Sequence, residues 1–192
     1  MIELTHQENA IVKTNPFAQI LSSQASGTDF SELVYCPLLL TGNHSLLGHL
    51  SSANAIIKRI KKSPIVKVIF SGPHGYISPR WHKEQTVPTW NYATVSIICR
   101  VNIIEDSSNK LTAMKQISHC FDPQWNFSDF NQTDNIKMVQ QMLSAITVFT
   151  LDMIEIKSKF KLSQNRSLAC RTAFKENLAL TGYPDLAKIQ LW

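Results

Sequence analysis

The stretch GPHGYISPRWHKEQTVPTWNYATV, residues 72–95, concentrates the rigid and aromatic residues of the chain. It holds two of the six glycines, three of the eight prolines, two of the four tryptophans and two of the six histidines. Gly72-Pro73 and Ser78-Pro79 are expected to interrupt regular structure. Flat apolar faces come from Trp81, Trp90 and Tyr92. The stretch is therefore predicted to form a wall that receives a flat ligand, and packing of its tryptophans into the core is the alternative.

Length and composition favour one folded domain. The 192 residues are 44% hydrophobic and 17% charged, which is enough for one sizeable core. We expect a single domain over residues 1–192, with residues 167–192 as a C-terminal helical appendage. No run of about 18 apolar residues occurs, so no membrane span is expected. Four scattered cysteines without a CxxC pair predict free thiols in a reducing cytoplasm, with no metal site.

The net charge of +5 is mildly basic. It suits an anionic ligand such as a phosphate, and it is compatible with nucleic acid, although the cations do not form dense blocks. A plain solvated surface explains the same balance. Charge alone therefore leaves the class of partner open.

The hydrophobic pattern predicts a mainly β protein with flanking helices, of α+β class. We expect Ser51-Ser52 to cap the second helix, Met138 and Met142 to point inward, and a turn at residues 26–29. Few crossover helices separate the early strands, which favours a small antiparallel barrel. Strands are predicted at 17–23, 33–41, 45–50, 65–71, 93–104 and 146–160, and helices at 7–13, 53–62, 110–121, 135–145 and 167–180.

Two further segments carry candidate binding groups. In residues 48–54 a strand end runs into a helix start, and such a terminus suits a phosphate; a plain cap with a satisfied His49 is the alternative. In KFKLSQNR, residues 159–166, Lys159 and Lys161 point to the same face of a strand. Ser163, Gln164 and Asn165 then hold a ligand, or Asn165 caps the last helix.

Signatures of hydrolases and nucleotide-binding loops are absent from the sequence: it has no GxSxG, HExxH, GxGxxG or P-loop pattern. Ser78 as a nucleophile with His74 or His82 as its base would resemble part of a catalytic triad. The sequence offers no third group to orient that base. The residues alone identify no catalytic acid, base or nucleophile.

Four segments together resemble the PaiB family, which is described as FMN-binding, negative transcriptional regulators. They are LLGHLSSAN (46–54), FSGPHGYISPRW (70–81), VPTWNYATV (87–95) and KFKLSQNR (159–166). Their order and spacing match over roughly residues 17–166. The resemblance implies an FMN-binding split β-barrel of antiparallel Greek-key type, as in flavin reductases and pyridoxamine phosphate oxidases. It also implies a homodimer that binds FMN at the subunit interface.

The resemblance implies a set of cofactor-binding residues. The FMN phosphate is expected at a group of residues at the helix start (48–54), and the isoalloxazine ring at an aromatic group within residues 87–95. A third group, from the basic segment 159–166, is expected near the site or on the partner subunit. The three groups are, in that order, His49, Leu50, Ser51, Ser52 and Asn54; Trp90, Asn91 and Tyr92; and Lys159, Lys161 and Gln164. The chain departs from the family at Cys36, where a histidine is usual, and at His82, where a tyrosine is usual.

Three functions remain open from the sequence. The first is a cytoplasmic, FMN-binding regulator of transcription that depends on or senses flavin, with DNA as a further partner. The second is a flavin-dependent oxidoreductase of unknown substrate. The third is a haem-binding relative in which His49, His74 or His82 is the axial ligand.

Overall fold

A single sheet of seven strands forms the centre of the fold. The structure, a computed structural model, describes residues 2–22, 32–83, 87–125 and 133–192, without the side chains of residues 133–137. Within these ranges the sheet order is β2-β1-β5-β6-β7-β4-β3. The strands are β1 Phe17–Ser22, β2 Leu33–Pro37, β3 Leu39–Thr41, β4 Ser45–Ser51, β5 Ile65–Ile77, β6 Thr89–Ile104 and β7 Ile146–Lys161.

Six α-helices and one short 3-10 turn accompany the sheet in the described ranges. The first helix begins with a capping box in which Thr5 and Glu8 satisfy each other's backbone N–H groups. The turn covers Pro79–Trp81. The helices are α1 His6–Thr14, α2 Ala55–Lys62, α3 Ser107–Phe121, α4 Thr133–Ala145, α5 Leu168–Leu180 and α6 Pro184–Ile189.

The predicted class, mainly β with flanking helices, is confirmed. The pairs β1–β2, β1–β5, β3–β4 and β4–β7 are all antiparallel. Strand β6 is the fourth of the seven, as its near-continuous apolar sequence predicts. Pro37 closes β2 at the edge of the sheet, where a missing N–H is tolerated.

The predicted break at Gly72-Pro73 is wrong, because β5 continues to Ile77. Strand β1 pairs with β5 only as far as Ile69, so Pro73 lies beyond that ladder and its missing N–H removes no bond to β1. Gly72 is needed for close packing: a Cβ there would lie 2.9 Å from the Ala93 carbonyl oxygen. The second break is confirmed, since Ser78 caps the 3-10 turn after the strand.

Two predicted helix caps are also corrected. Ser51 is the last residue of β4, and the α2 N-cap is Asn54, whose Oδ1 accepts from the Ile56 N–H at 3.1 Å. Asn165 does not cap α5, because Ser167 accepts from the Cys170 N–H at 3.2 Å. The start of α2 therefore lies two residues later than predicted, and that of α5 one residue later.

The predicted inward methionines of α4 are exposed instead. Met138 is 39% exposed and Met142 is 61% exposed, so neither is a core residue of this chain. The predicted turn at residues 26–29 lies outside the described residues.

The contacts divide the chain into two compact units. The first comprises Met1–Leu4, Pro16–Ile69 and Ile97–Ile156, and the second comprises Thr5–Asn15, Phe70–Ser96 and Lys157–Trp192. The core of the first includes the cluster Leu47, Ala113, Ile117 and Val148. That of the second includes Phe174, Leu178, Leu186 and Ile189 of helices α5 and α6. The single domain with a helical appendage stays a prediction.

No helix in the described part of the chain has both the length and the apolar character needed to cross a membrane.

Candidate functional site

The predicted phosphate-binding segment is an exposed helix start in the first unit. Strand β4 ends at Ser51 and α2 begins at Ala55, so the chain between them carries two serines at the surface. Ser51 Oγ accepts from the Ala53 N–H at 3.3 Å, and Ser52 Oγ shares a hydrogen bond of 3.0 Å with Thr147 Oγ1. Hydroxyls beside the positive end of a helix dipole form a suitable site for a phosphate.

His49 adds an unsatisfied polar atom to this segment. Its Nδ1 is buried and has no hydrogen-bond partner among the described residues. Burial lowers the pKa of His49, so the ring is held neutral. Leu50 follows it, half-buried, in the β4–β7 ladder. A buried nitrogen without a partner is rare in folded proteins and indicates a ligand or water at this point.

Cys36, where the resembling family has a histidine, is a packing residue. It is fully buried, and its Sγ donates to the His49 carbonyl oxygen at 3.3 Å. Burial raises the pKa of the Cys36 thiol to about 12, so the thiol stays protonated. The surroundings are tight, because a Cβ on Gly48 would lie 2.5 Å from Leu38 Cδ2 and 3.3 Å from Cys36 Sγ. A histidine would not fit this space without repacking.

The second unit presents an aromatic platform, defined by His74, Tyr76 and Trp90. Trp90 is 49% exposed and Tyr76 is 38% exposed. The Trp90 ring centroid lies 6.2 Å from that of His74 and 6.4 Å from that of Tyr76. Tyr92, two residues further along β6, is half-buried. The platform offers a flat ligand an indole face that the protein leaves open.

Trp81 is not part of this platform. Its ring packs edge-on against Phe174 of α5, with centroids 6.4 Å apart and planes at 62°. For Trp81 the alternative of core packing is therefore the better description. The wall was predicted from Trp81, Trp90 and Tyr92. In the structure, the exposed aromatic surface consists instead of Trp90 with His74 and Tyr76 of β5.

Asn91 lies beneath a turn and is not exposed to a ligand. It is fully buried, and its Nδ2 donates to Gln190 Oε1 at 3.0 Å while its Oδ1 accepts from Ser163 Oγ at 3.0 Å. Gln190, also fully buried, donates to the Leu162 carbonyl oxygen at 2.8 Å. These bonds fix the KLSQNR segment to the last residues of the chain.

The basic segment forms a rigid turn at the end of β7. Ser163 has a φ of 58°, a left-handed conformation that costs a non-glycine residue about 1–2 kcal/mol. Gln164 closes the turn by accepting from the Leu162 N–H at 2.9 Å and donating to the Phe160 carbonyl oxygen. Lys161 Nζ donates to Thr89 Oγ1 at 2.6 Å, and Lys159 is exposed.

The structure thus brings the predicted residues together in two groups. His49, Leu50, Ser51, Ser52 and Asn54 belong to the first unit, and Trp90, Asn91, Tyr92, Lys159, Lys161 and Gln164 to the second. Sequence reasoning considered His74 only as a haem ligand and missed Tyr76, so neither was expected beside Trp90. Their alternation with the buried Gly75 and Ile77 is a strand signal that could have found them. Within the described residues, no three His, Cys, Asp or Glu side chains are grouped to hold a metal.

The seven-stranded sheet with its flanking helices agrees with the split-barrel class that the sequence predicts. Residues 3–155 match the family described as "Putative FMN-binding domain", and the chain belongs to this family. The predicted cofactor, FMN, is confirmed by that membership.

A curated relative confirms the resemblance to the PaiB family. The "Protease synthase and sporulation protein PAI 2" of Bacillus subtilis is 30% identical over 130 residues, which are 65% of this chain and 60% of that protein. The chain spans between 46% and 60% of the length of the curated relatives that it matches.

Solved structures share the fold. The FAD and heme binding protein of Mycobacterium smegmatis has a TM-score of 0.65 at 11% identity, covering 95% of this chain and 80% of that one. A 5-nitroimidazole antibiotic resistance protein of Bacteroides thetaiotaomicron, titled "putative", has a TM-score of 0.61 at 15% identity, covering 82% and 84%. The predicted split-barrel fold is therefore confirmed.

Proposed function

We propose that this chain is an FMN-binding homodimer that regulates transcription in response to flavin. The observation that carries the binding proposal is the exposed, hydroxyl-rich start of α2 next to the buried, unpartnered Nδ1 of His49. Family membership supports FMN as the ligand. When bound, FMN supplies redox chemistry to the site.

The residues at the start of α2 hold the phosphate. The hydroxyls of Ser51 and Ser52 can turn to donate to phosphate oxygens, and the helix dipole adds partial positive charge. Asn54 already caps the helix, so its part is to fix the position of the first turn. The neutral His49 ring directs its nitrogen to a polar group of the ligand, and Leu50 follows it in the same strand.

The aromatic platform binds the flat ring system. Trp90 stacks on one face of it, and His74 and Tyr76 hold the indole in place from the side. Tyr92 extends the same strand face, and Asn91 supports the neighbouring turn from inside. Contacts of the flavin with Lys159, Lys161 and Gln164 stay predictions.

The regulatory part of the proposal is supported by the resemblance to the PaiB family and by the Bacillus subtilis relative, which is named "Protease synthase and sporulation protein PAI 2". Exposed lysines at the end of α2, Lys58, Lys61 and Lys62, provide cations for a DNA backbone.

Haem is the second candidate ligand, because the Mycobacterium smegmatis protein of similar fold is named for FAD and haem together. A Soret band in place of flavin absorption would identify that case.

The binding proposal is tested by titrating FMN into the protein and into the variants Trp90→Ala and Trp125→Ala. Both tryptophans are partly exposed, at 49% and 39%, but only Trp90 belongs to the platform. Loss of an aromatic pair worth about 0.5–1.5 kcal/mol weakens binding by about 2- to 12-fold. We expect that loss in Trp90→Ala and an unchanged affinity in Trp125→Ala. Equal affinities in all three proteins would remove Trp90 from the site.

A further inference from the structure

A small pocket lies in the second unit where β7 passes into the KLSQNR turn. Its volume is about 190 Å³. Pockets for whole drug-sized ligands occupy roughly 300–1,000 Å³, so this one suits a small molecule. Its lining consists of Ile77, Val87, Thr89, Lys161, Ser163, Gln164, Asn165, Arg166 and Phe174.

The lining is cationic. It contains Lys161 and Arg166, and none of the described residues that line the pocket is acidic. Lys161 Nζ donates to Thr89 Oγ1, a neutral hydroxyl, so that contact leaves its charge uncompensated. The guanidinium of an arginine can in addition bind an oxyanion through two parallel hydrogen bonds. The charge of the pocket therefore selects for an anion.

The polar wall of the pocket is held rigid. Ser163 keeps its left-handed φ of 58° because its Oγ is bonded to the buried Asn91 and its carbonyl oxygen accepts from the Arg166 N–H at 3.0 Å. Gln164 is fixed by its two bonds within the turn. Backbone strain that the surroundings enforce is a common feature of ligand-binding sites. A rigid wall also lowers the entropy that a ligand loses from the protein on binding.

The apolar part of the lining is formed by Ile77, Val87 and Phe174. Apolar walls lower the local dielectric and strengthen the attraction between the cations and an anion. They also favour a ligand with a short carbon skeleton.

From this combination the geometry points to a binding site for a small oxyanion, a carboxylate or phosphate compound other than FMN, held by Lys161, Arg166 and the Ser163–Gln164 turn. The inference goes beyond the proposed function, in which the FMN phosphate is bound at the start of α2. It gives the chain a second ligand, which acts as substrate or effector beside the flavin.

Calorimetric titrations of the full chain with inorganic phosphate and with acetate, at constant ionic strength, test the site and separate the two oxyanion sources. The variants are Lys161→Met and Arg166→Gln, and Lys175→Met on the exposed face of α5 is the charge-matched control. We expect saturable binding of at least one probe, weakened about 10-fold or more in either site variant. The control is expected to bind as the unmodified protein does. Thermal unfolding shows which variants are folded.

Three results would overturn the inference. They are no saturable binding of either probe, an affinity in Lys161→Met and Arg166→Gln equal to that of the unmodified protein, and a loss of affinity in Lys175→Met as large as in the site variants, which indicates general surface charge. FMN titrations of Arg166→Gln complete the test, and we expect the FMN affinity to change less than about 2-fold. A larger loss of FMN affinity in this variant would show that the pocket holds the flavin phosphate and would also overturn the inference. Absence of FMN binding with intact oxyanion binding would contradict only the flavin proposal.

Discussion

Replacement of Asn91 by alanine is expected to destabilise the protein through the buried amide pair Asn91–Gln190. The change removes two hydrogen bonds of 3.0 Å each, to Gln190 and to Ser163, and leaves Gln190 Oε1 buried without a donor. Each bond contributes about 1 kcal/mol, and an unsatisfied buried acceptor costs about 1–3 kcal/mol. The free energy of unfolding should therefore fall by about 3–5 kcal/mol.

Urea unfolding, followed by circular dichroism, measures this change in Asn91→Ala, in Gln190→Ala and in the double variant. The control is Asn102→Ala, on the same strand but exposed, where loss of the 2.8 Å bond to Asp152 should cost about 0.5 kcal/mol. Because the two amides share one bond, the double variant should lose about 1–2 kcal/mol less than the sum of the single variants. Additive effects, or an Asn91→Ala cost no larger than that of the control, would refute the buried network.

Three further predictions follow from packing and titration. Gly48→Ala places a Cβ 2.5 Å from Leu38 Cδ2 and should reduce the unfolding free energy by about 1–3 kcal/mol in urea; unchanged stability would show that the strand is less tightly packed. A thiol reagent should modify one cysteine rapidly in the folded protein, because Cys120 is exposed and the other three are buried; two or more fast thiols would contradict this arrangement. The pKa of His49 is lowered below its usual 6.5 by burial, so the unfolded state binds more protons and stability is lost as the pH falls from about 7 to about 5. His49→Gln should lose less stability over that range, and an identical pH profile would argue against a neutral buried ring.

The sequence predicted the elements whose cause is local. The apolar residues Ile56, Ile57 and Ile60 recur at helical spacing, and all three are buried in α2. The start of that helix was misplaced because Ser51, Ser52 and Asn54 are all good N-caps. Because Ser51 pairs with Ile146 of β7, β4 extends to Ser51 and Asn54 is left as the cap of α2. The sequence around Ser51 gives no sign of a pairing with so distant a residue.

The features missed in the site depend on residues far apart in the chain. Asn91 and Gln190 are separated by 99 positions, so a sequence pattern around Asn91 gives no reason to expect a buried amide partner. Trp81 and Trp90 have the same local signature, and only Phe174 of α5 decides that Trp81 packs inward. Recognition of FMN succeeded because the four segments that resemble the PaiB family are long and rich in rare residues.

Titration of the full chain with FMN tests the central claim most directly. Absorption and tryptophan fluorescence are followed as FMN is added, and the variants Ser51→Ala and Ser52→Ala are compared with Ser96→Ala, a serine of β6 whose hydroxyl donates to the Lys157 carbonyl oxygen. We predict saturable flavin binding with one FMN per chain, weakened in the two α2 variants and unchanged in Ser96→Ala. A chain that leaves FMN free in solution would contradict the account.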